Sequence, residues 1–73
     1  MEFKYQSLKN LIERILKGRK GVTQEAVETI DRYLVERAEE VLNLACEEAD
    51  IANRKMLKGT HIERAISIIN RRR

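Results

Sequence analysis

The residues of this sequence best suited to do chemistry are lysines and arginines clustered in two short stretches, "KGRK" (17–20) and "RKMLK" (54–58). Their ammonium and guanidinium groups bind phosphate oxygens through charge and hydrogen bonds. Each stretch contains or adjoins a glycine, a residue typical of loops. The pattern therefore predicts two basic loops that contact a polyanion, and the candidate residues are Lys17, Arg19, Lys20, Arg54, Lys55 and Lys58.

Charge is distributed unevenly along the chain. Residues 1–23 carry six Lys/Arg and two acids, a net +4, and residues 54–73 carry seven and one, a net +6. Residues 24–53 carry two Arg and nine acids, a net −7. Solubility explains any single surface lysine, but clustering on both sides of an acidic segment favours contact with a polyanion at chosen points.

The chain offers little for catalysis or metal binding. It has one His and one Cys, His61 and Cys46, and no glycine-rich phosphate loop. We therefore expect no catalytic residue, no metal site, no cofactor and no small-molecule substrate. No apolar run approaches about eighteen residues and no signal-peptide core is present, so we expect no membrane contact and a cytoplasmic location.

Helices are predicted to position the cations, because the chain lacks proline and its apolar residues recur at helical spacing between the glycines. The first helix is expected from about Phe3 to Lys17. The second begins after Thr23, whose hydroxyl suits an N-cap, and continues without a break to about Ala52.

A third helix is expected after Gly59. "THIE" has the form of a capping box between Thr60 and Glu63, although the helix could equally begin one or two residues earlier. The sequence thus predicts an all-α protein, with a short, a long and a short helix, forming a single domain over residues 1–73.

The long middle helix is apolar over more of its circumference than two short helices can cover. A chain of 73 residues also buries little core alone, so a second copy is the expected cover. If two chains cross antiparallel, the first loop of one lies beside the second loop of the other, which gathers the loop cations at each end. The expected interface residues are Ile30, Leu34, Ala38, Val41 and Ala45.

Short, long and short helices with basic loops resemble the histone fold, and the chain is most similar to the small tail-less histones of archaea and some bacteria. "RILKGRKGVTQEAV" resembles that family's first loop, and "ANRKMLKGTHIERAI" its second loop and third helix. The resemblance implies an intertwined dimer that binds duplex DNA. The resemblance adds two residues to the DNA-binding candidates: Arg14, which matches a first-helix arginine that reaches DNA, and Thr23, which matches the capping hydroxyl. It also matches Arg54 and Lys55 to the basic pair in the family's second loop.

Two positions depart from the family pattern. Met56 replaces a threonine that can bond phosphate, and His61 replaces an aspartate that clamps the second-loop arginine, leaving Arg54 for DNA or for Asp50. By resemblance, Ile51 and His61 also stand where stacked dimers form a His–Asp pair. We therefore expect weakened stacking, with any tetramer using a different contact.

Two functions are open on the sequence alone. The first is a homodimeric, nucleoid-associated architectural protein that binds, bends or compacts duplex DNA without strong sequence specificity. The second is a histone-fold interaction module that forms half of a heterodimer in a larger complex, favoured by the acidic middle helix and the lost clamp. A helix-turn-helix repressor is a weaker alternative, because an acidic long helix suits the major groove poorly.

Overall fold

The computed structural model describes residues 1–72, which form three helices and no strand. The helices are α1 (Tyr5–Leu16), α2 (Gln24–Ile51) and α3 (Gly59–Arg71). α2 contains 28 residues, against 12 in α1 and 13 in α3. The predicted all-α succession of a short, a long and a short helix is confirmed, with each boundary within two residues of the expected one.

The helix starts confirm one predicted cap and correct another. The Thr23 hydroxyl oxygen accepts a hydrogen bond from the Ala26 N–H at 3.1 Å, so Thr23 caps α2 as predicted. The expected Thr60–Glu63 capping box is wrong, because α3 already begins at Gly59 and Thr60 lies inside it. The alternative start, one or two residues before the one that Thr60 suggested, is the correct one, since the N-cap is Lys58.

The chain divides into two compact units, of which the first comprises residues 1–36. It contains α1 and the first part of α2, and its buried apolar residues are Leu8 and Val27. Asp31 is also buried, with 5% of its surface exposed. Its carboxylate accepts hydrogen bonds from the backbone N–H groups of Glu2 and Phe3, so the buried charge is satisfied and the segment before α1 is tied to α2.

The second unit, residues 37–73, contains the rest of α2 and α3. Its core consists mostly of alanines, which allow two helices to approach closely. Glu48 on α2 and Arg64 on α3 form an ion pair at 3.8 Å, but the arginine is largely exposed and such pairs stabilise little. The unit is therefore held mainly by its small apolar core, which consists of Ala45, Ala49, Ala65 and Ile69.

Much apolar surface is uncovered in both units. Within residues 1–72, six hydrophobic residues are buried, whereas eleven large ones are exposed, up to 83% for Ile51. Contiguous exposed apolar surface marks an interaction site. The single domain expected over residues 1–73 stays a prediction.

The residues predicted to form a dimer interface differ in exposure. Ile30 and Ala38 are exposed, while Leu34 and Val41 are half-buried. Ala45 is fully buried within its own unit, where it belongs to the core. The place of all five residues in a dimer interface stays a prediction.

Candidate nucleic-acid interface

The first loop begins where α1 ends in a tight reversal. Lys17 adopts the left-handed conformation, with φ 53°, and its N–H donates to the Glu13 carbonyl at 2.9 Å. Gly18 follows with φ 78°. A left-handed residue is a common helix ending, but glycine usually occupies it because a Cβ atom is disfavoured there. The reversal ends α1 abruptly, and the Lys17 side chain is exposed beside its terminus.

Arg19 is held against the end of α1 by two hydrogen bonds. Its backbone N–H donates to the Leu16 carbonyl at 3.1 Å, and its side-chain Nε–H donates to the same oxygen at 2.9 Å. Only one edge of the guanidinium is used in this way, so its terminal NH₂ groups can bind an anion. The neighbouring Lys20 is exposed. The first loop thus presents one positioned guanidinium and two ammonium groups.

Thr23 closes the first loop at the start of α2. Its hydroxyl oxygen accepts from Ala26, and its own hydrogen can still donate to a phosphate oxygen. The first turn of α2 also presents backbone N–H groups that have no partner within a helix, at the positive end of the helix dipole.

Arg14 extends the same positively charged surface onto α1. It lies in the last turn of α1, and its side chain is exposed. Among residues 1–72, the ion pairs join Arg37 to Glu40 and Arg64 to Glu48, so they do not engage Arg14. We call Arg14, Lys17, Arg19 and Lys20 the first-loop cluster.

The second loop begins with a complete helix-ending motif. Asn53 is left-handed, with φ 57°, and its N–H donates to the Asp50 carbonyl at 3.0 Å. The N–H of Arg54 donates to the Ala49 carbonyl at 2.8 Å. These bonds form the Schellman motif, which satisfies the last carbonyl groups of a helix. They fix the backbone of Arg54, whose side chain is exposed and makes no ion pair with Asp50 in the described structure.

The second loop ends at Lys58, the N-cap of α3, where His61 has a structural role that the sequence analysis missed. The backbone N–H of Lys58 donates to Nδ1 of His61 at 3.0 Å, and the N–H of His61 donates to the Lys58 carbonyl at 3.0 Å. The Lys58 ammonium has no lone pair to accept from the first turn of the helix, so the side-chain acceptor at this helix start is the imidazole, which accepts from the N-cap N–H. The signal in the sequence was the position of His61, three residues after the N-cap.

Arg54, Lys55 and Lys58 form what we call the second-loop cluster, and all three are exposed. Like the first-loop cluster, it adjoins the N-terminus of a helix, where the dipole favours anions. The surface of α2 is different, since it exposes six acids that would repel a polyanion: Glu25, Glu36, Glu39, Glu40, Glu47 and Asp50. The sequence-predicted residues thus fall into two sets, each within one unit, and their contact with DNA stays a prediction.

No group of three or more His, Cys, Asp or Glu side chains that could hold a metal ion occurs within residues 1–72. None of the described helices is both long enough and apolar enough to cross a membrane.

Comparison with known proteins gives a family for the chain. Residues 9–66 match the family model described as "Histone-like transcription factor (CBF/NF-Y) and archaeal histone". The match includes α2, both loops and most of the two short helices. The searches of curated proteins and of solved structures gave no match.

Proposed function

Since the chain belongs to the family of histone-like transcription factors and archaeal histones, we propose that it is a homodimeric architectural protein that binds duplex DNA through the phosphate backbone. Histone-fold proteins generally form dimers and bind DNA. For this chain we further propose little sequence specificity, association with the nucleoid in the cytoplasm, and no enzymatic activity. The bound DNA would be bent or compacted.

The observation that carries this proposal is the position of the exposed cations. The exposed cations of the two clusters lie at the two loops, each of which leads into a helix N-terminus that favours anions, whereas six of the nine exposed acids among residues 1–72 lie along α2. A polyanion would therefore be attracted to the loops and repelled from the middle helix. Cations on flexible stems and backbone N–H groups bind phosphate, which every DNA sequence presents alike, so the surface suits sequence-independent binding.

The second copy is proposed because each unit leaves apolar residues uncovered. Ile30 on α2 and Ile15 on α1 are exposed in the first unit, as are Leu42 and Ile66 in the second. An antiparallel crossing of two α2 helices would bring the first-loop cluster of one chain beside the second-loop cluster of the other.

Sedimentation of the purified chain, with and without duplex DNA, tests the proposal. We expect the mass of a dimer without DNA and a complex of dimers with DNA, for any duplex sequence. A variant with the first-loop charges removed, Arg19→Ala with Lys20→Ala, should remain dimeric and bind DNA more weakly. A chain that is dimeric but fails to bind DNA at low ionic strength would contradict the function while leaving the fold intact.

A second function is supported by the acids of α2. The family description includes transcription factors, and an acidic exposed surface suits a protein partner better than DNA. On this alternative the chain is one half of a heterodimer in a larger complex. It predicts that the chain alone is poorly folded at all concentrations and gains a defined melting transition only with its partner.

A further inference from the structure

Met56 is the feature of the second loop that phosphate binding does not explain. Its side chain is 73% exposed, and that of the adjacent Leu57 is 40% exposed. Isolated apolar residues are common on protein surfaces. Here, however, the exposed thioether chain lies between Lys55 and Lys58, at the point where the proposed polyanion binds.

The backbone is fixed on both sides of Met56. Before it, the Arg54 N–H is bonded to the Ala49 carbonyl at 2.8 Å, and after it, the Lys58 N–H is bonded to His61 Nδ1 at 3.0 Å. Only residues 55–57 lie between these two fixed positions. Met56 is thus the central residue of a short tethered segment, which lowers the entropy cost of ordering it against a ligand.

We propose that Met56 is a DNA wedge, whose side chain inserts between adjacent base pairs from the minor groove while Lys55 and Lys58 bind the flanking phosphates. The inference rests on the proposed DNA binding. It adds that the DNA is kinked at the base step into which Met56 inserts. Architectural proteins insert apolar side chains, methionine included, into base steps, and the added backbone contacts offset the cost of unstacking. Pyrimidine–purine steps unstack most easily, so the wedge should prefer TpA steps.

A second copy of the chain is a poorer occupant for this loop. In the proposed dimer this loop would lie beside the partner's first-loop cluster, whose cations repel Arg54, Lys55 and Lys58 and offer no apolar surface for Met56. DNA offers a partner for both features of the loop. Its phosphates neutralise the three cations, and its stacked bases provide an apolar surface for the Met56 side chain. Charge complementarity therefore selects DNA.

The wedge can be tested with full-length variants and a duplex that carries 2-aminopurine beside one central TpA step. Met56→Leu retains an apolar wedge, Met56→Ala removes it, and Met56→Thr replaces it with a smaller hydroxyl. Ile51→Ala is the matched control, because Ile51 is even more exposed, at 83%, but lies at the end of α2, outside residues 54–58. The measured quantities are 2-aminopurine fluorescence, DNA bend by energy transfer between the duplex ends, affinity and melting temperature.

The wild type, Met56→Leu and Ile51→Ala should increase 2-aminopurine fluorescence and bend the duplex by about 20° or more. Met56→Ala and Met56→Thr should still bind through their cations but lose the fluorescence increase, most of the bend and the TpA preference. Binding by all variants with the same fluorescence and bend would overturn the wedge and leave the proposed function standing. Failure of the wild type to bind DNA at low salt would overturn both. A lower melting temperature for Met56→Ala, with dissociation of the dimer, would overturn the wedge by showing that Met56 packs against protein.

Discussion

The backbone N–H of Phe3 lies 2.7 Å from Oδ1 of Asp31, a side chain that is 5% exposed. The other carboxylate oxygen accepts from the N–H of Glu2 at 3.2 Å. One aspartate on α2 therefore satisfies two backbone donors that precede α1. Asp31 is therefore one of the residues that stabilise the first unit. Most of the other acids of α2 are exposed.

Replacing this carboxylate should destabilise the protein measurably. Asp31→Ala leaves two N–H groups without their acceptor, which should lower the free energy of unfolding by about 1–3 kcal/mol. Urea unfolding of wild type and variant at equal protein concentration measures the difference. Glu36→Ala, an exposed acid on the same helix, is the control and should change it by under about 0.5 kcal/mol. Equal effects of the two variants would show that the Asp31 hydrogen bonds contribute nothing specific.

The acceptor at the start of α3 should be replaceable by a carboxylate. His61→Ala removes the partner of the Lys58 N–H, and loss of a cap of this kind costs about 0.5–2 kcal/mol. His61→Glu supplies an acceptor at the capping-box position and a negative charge near the helix N-terminus, so it should be at least as stable as wild type. Urea midpoints compare the three proteins. If His61→Ala were as stable as wild type, the cap would be of no energetic consequence.

The sequence was sufficient to predict the helices and most of their ends, because glycine positions and apolar spacing are local signals. Thr23 was identified as a cap because a hydroxyl before a helical pattern acts on its own first turn. His61 was not, because lysine at the N-cap is unusual and the imidazole accepts from the N-cap N–H at the position where a capping box has Glu or Gln. In that case the typical pattern, Thr60 with Glu63, suggested the wrong start.

Contacts between residues far apart in the chain could not be predicted from the sequence. Nothing local marks Asp31 as different from the exposed acids that surround it, since its partners are backbone groups 28 and 29 residues earlier. Ala45 was predicted for the dimer interface because it continues the apolar stripe, and its complete burial in the chain itself has no local signal in the sequence. The loop cations were identifiable because clustering and exposure of charge follow directly from composition.

Dimerisation can be tested at a residue that its own chain leaves exposed. Ile30 is 39% exposed, so Ile30→Glu should be tolerated by an isolated chain but would bury an unpaired charge against a second copy. We expect a strongly lowered melting temperature and loss of the dimer by sedimentation. Asn43→Glu, also on α2 and exposed, should have little effect.

Melting temperature should also rise with the concentration of the wild-type protein, because folding and association are coupled in such dimers. A melt that is unchanged over a hundredfold range of concentration, together with a monomeric mass, is the outcome that excludes this interface.

DNA contacts should be confined to the clusters. Lys55→Ala or Arg14→Ala should weaken binding to all sequences about equally and reduce the slope of log affinity against log salt by about one per lost phosphate contact. Arg32→Ala, an exposed arginine among the acids of α2, is the control and should change neither quantity. Comparable losses at all three positions would indicate diffuse attraction rather than a site.

Continuous stacking of dimers along DNA should be weak. The positions that resemblance assigns to a stacking His–Asp pair hold Ile51, which is 83% exposed, and His61, which is engaged with Lys58. The nearby acids Glu47 and Asp50 would repel across a two-fold axis. Nuclease digestion of protein-saturated DNA should therefore give no ladder of regularly increasing fragments, and a clear ladder would show that stacking persists.

The salt dependence of DNA affinity tests the central claim most directly, namely that a dimer binds the phosphate backbone through its loop cations. The affinity of the wild-type dimer should be measured for two duplexes of unrelated sequence over a range of salt concentrations. If the dimer contacts about six phosphates, affinity should fall roughly a thousandfold between about 50 and 200 mM salt, with the same slope for both duplexes. An affinity that is insensitive to salt, or confined to one of the two sequences, would contradict the account.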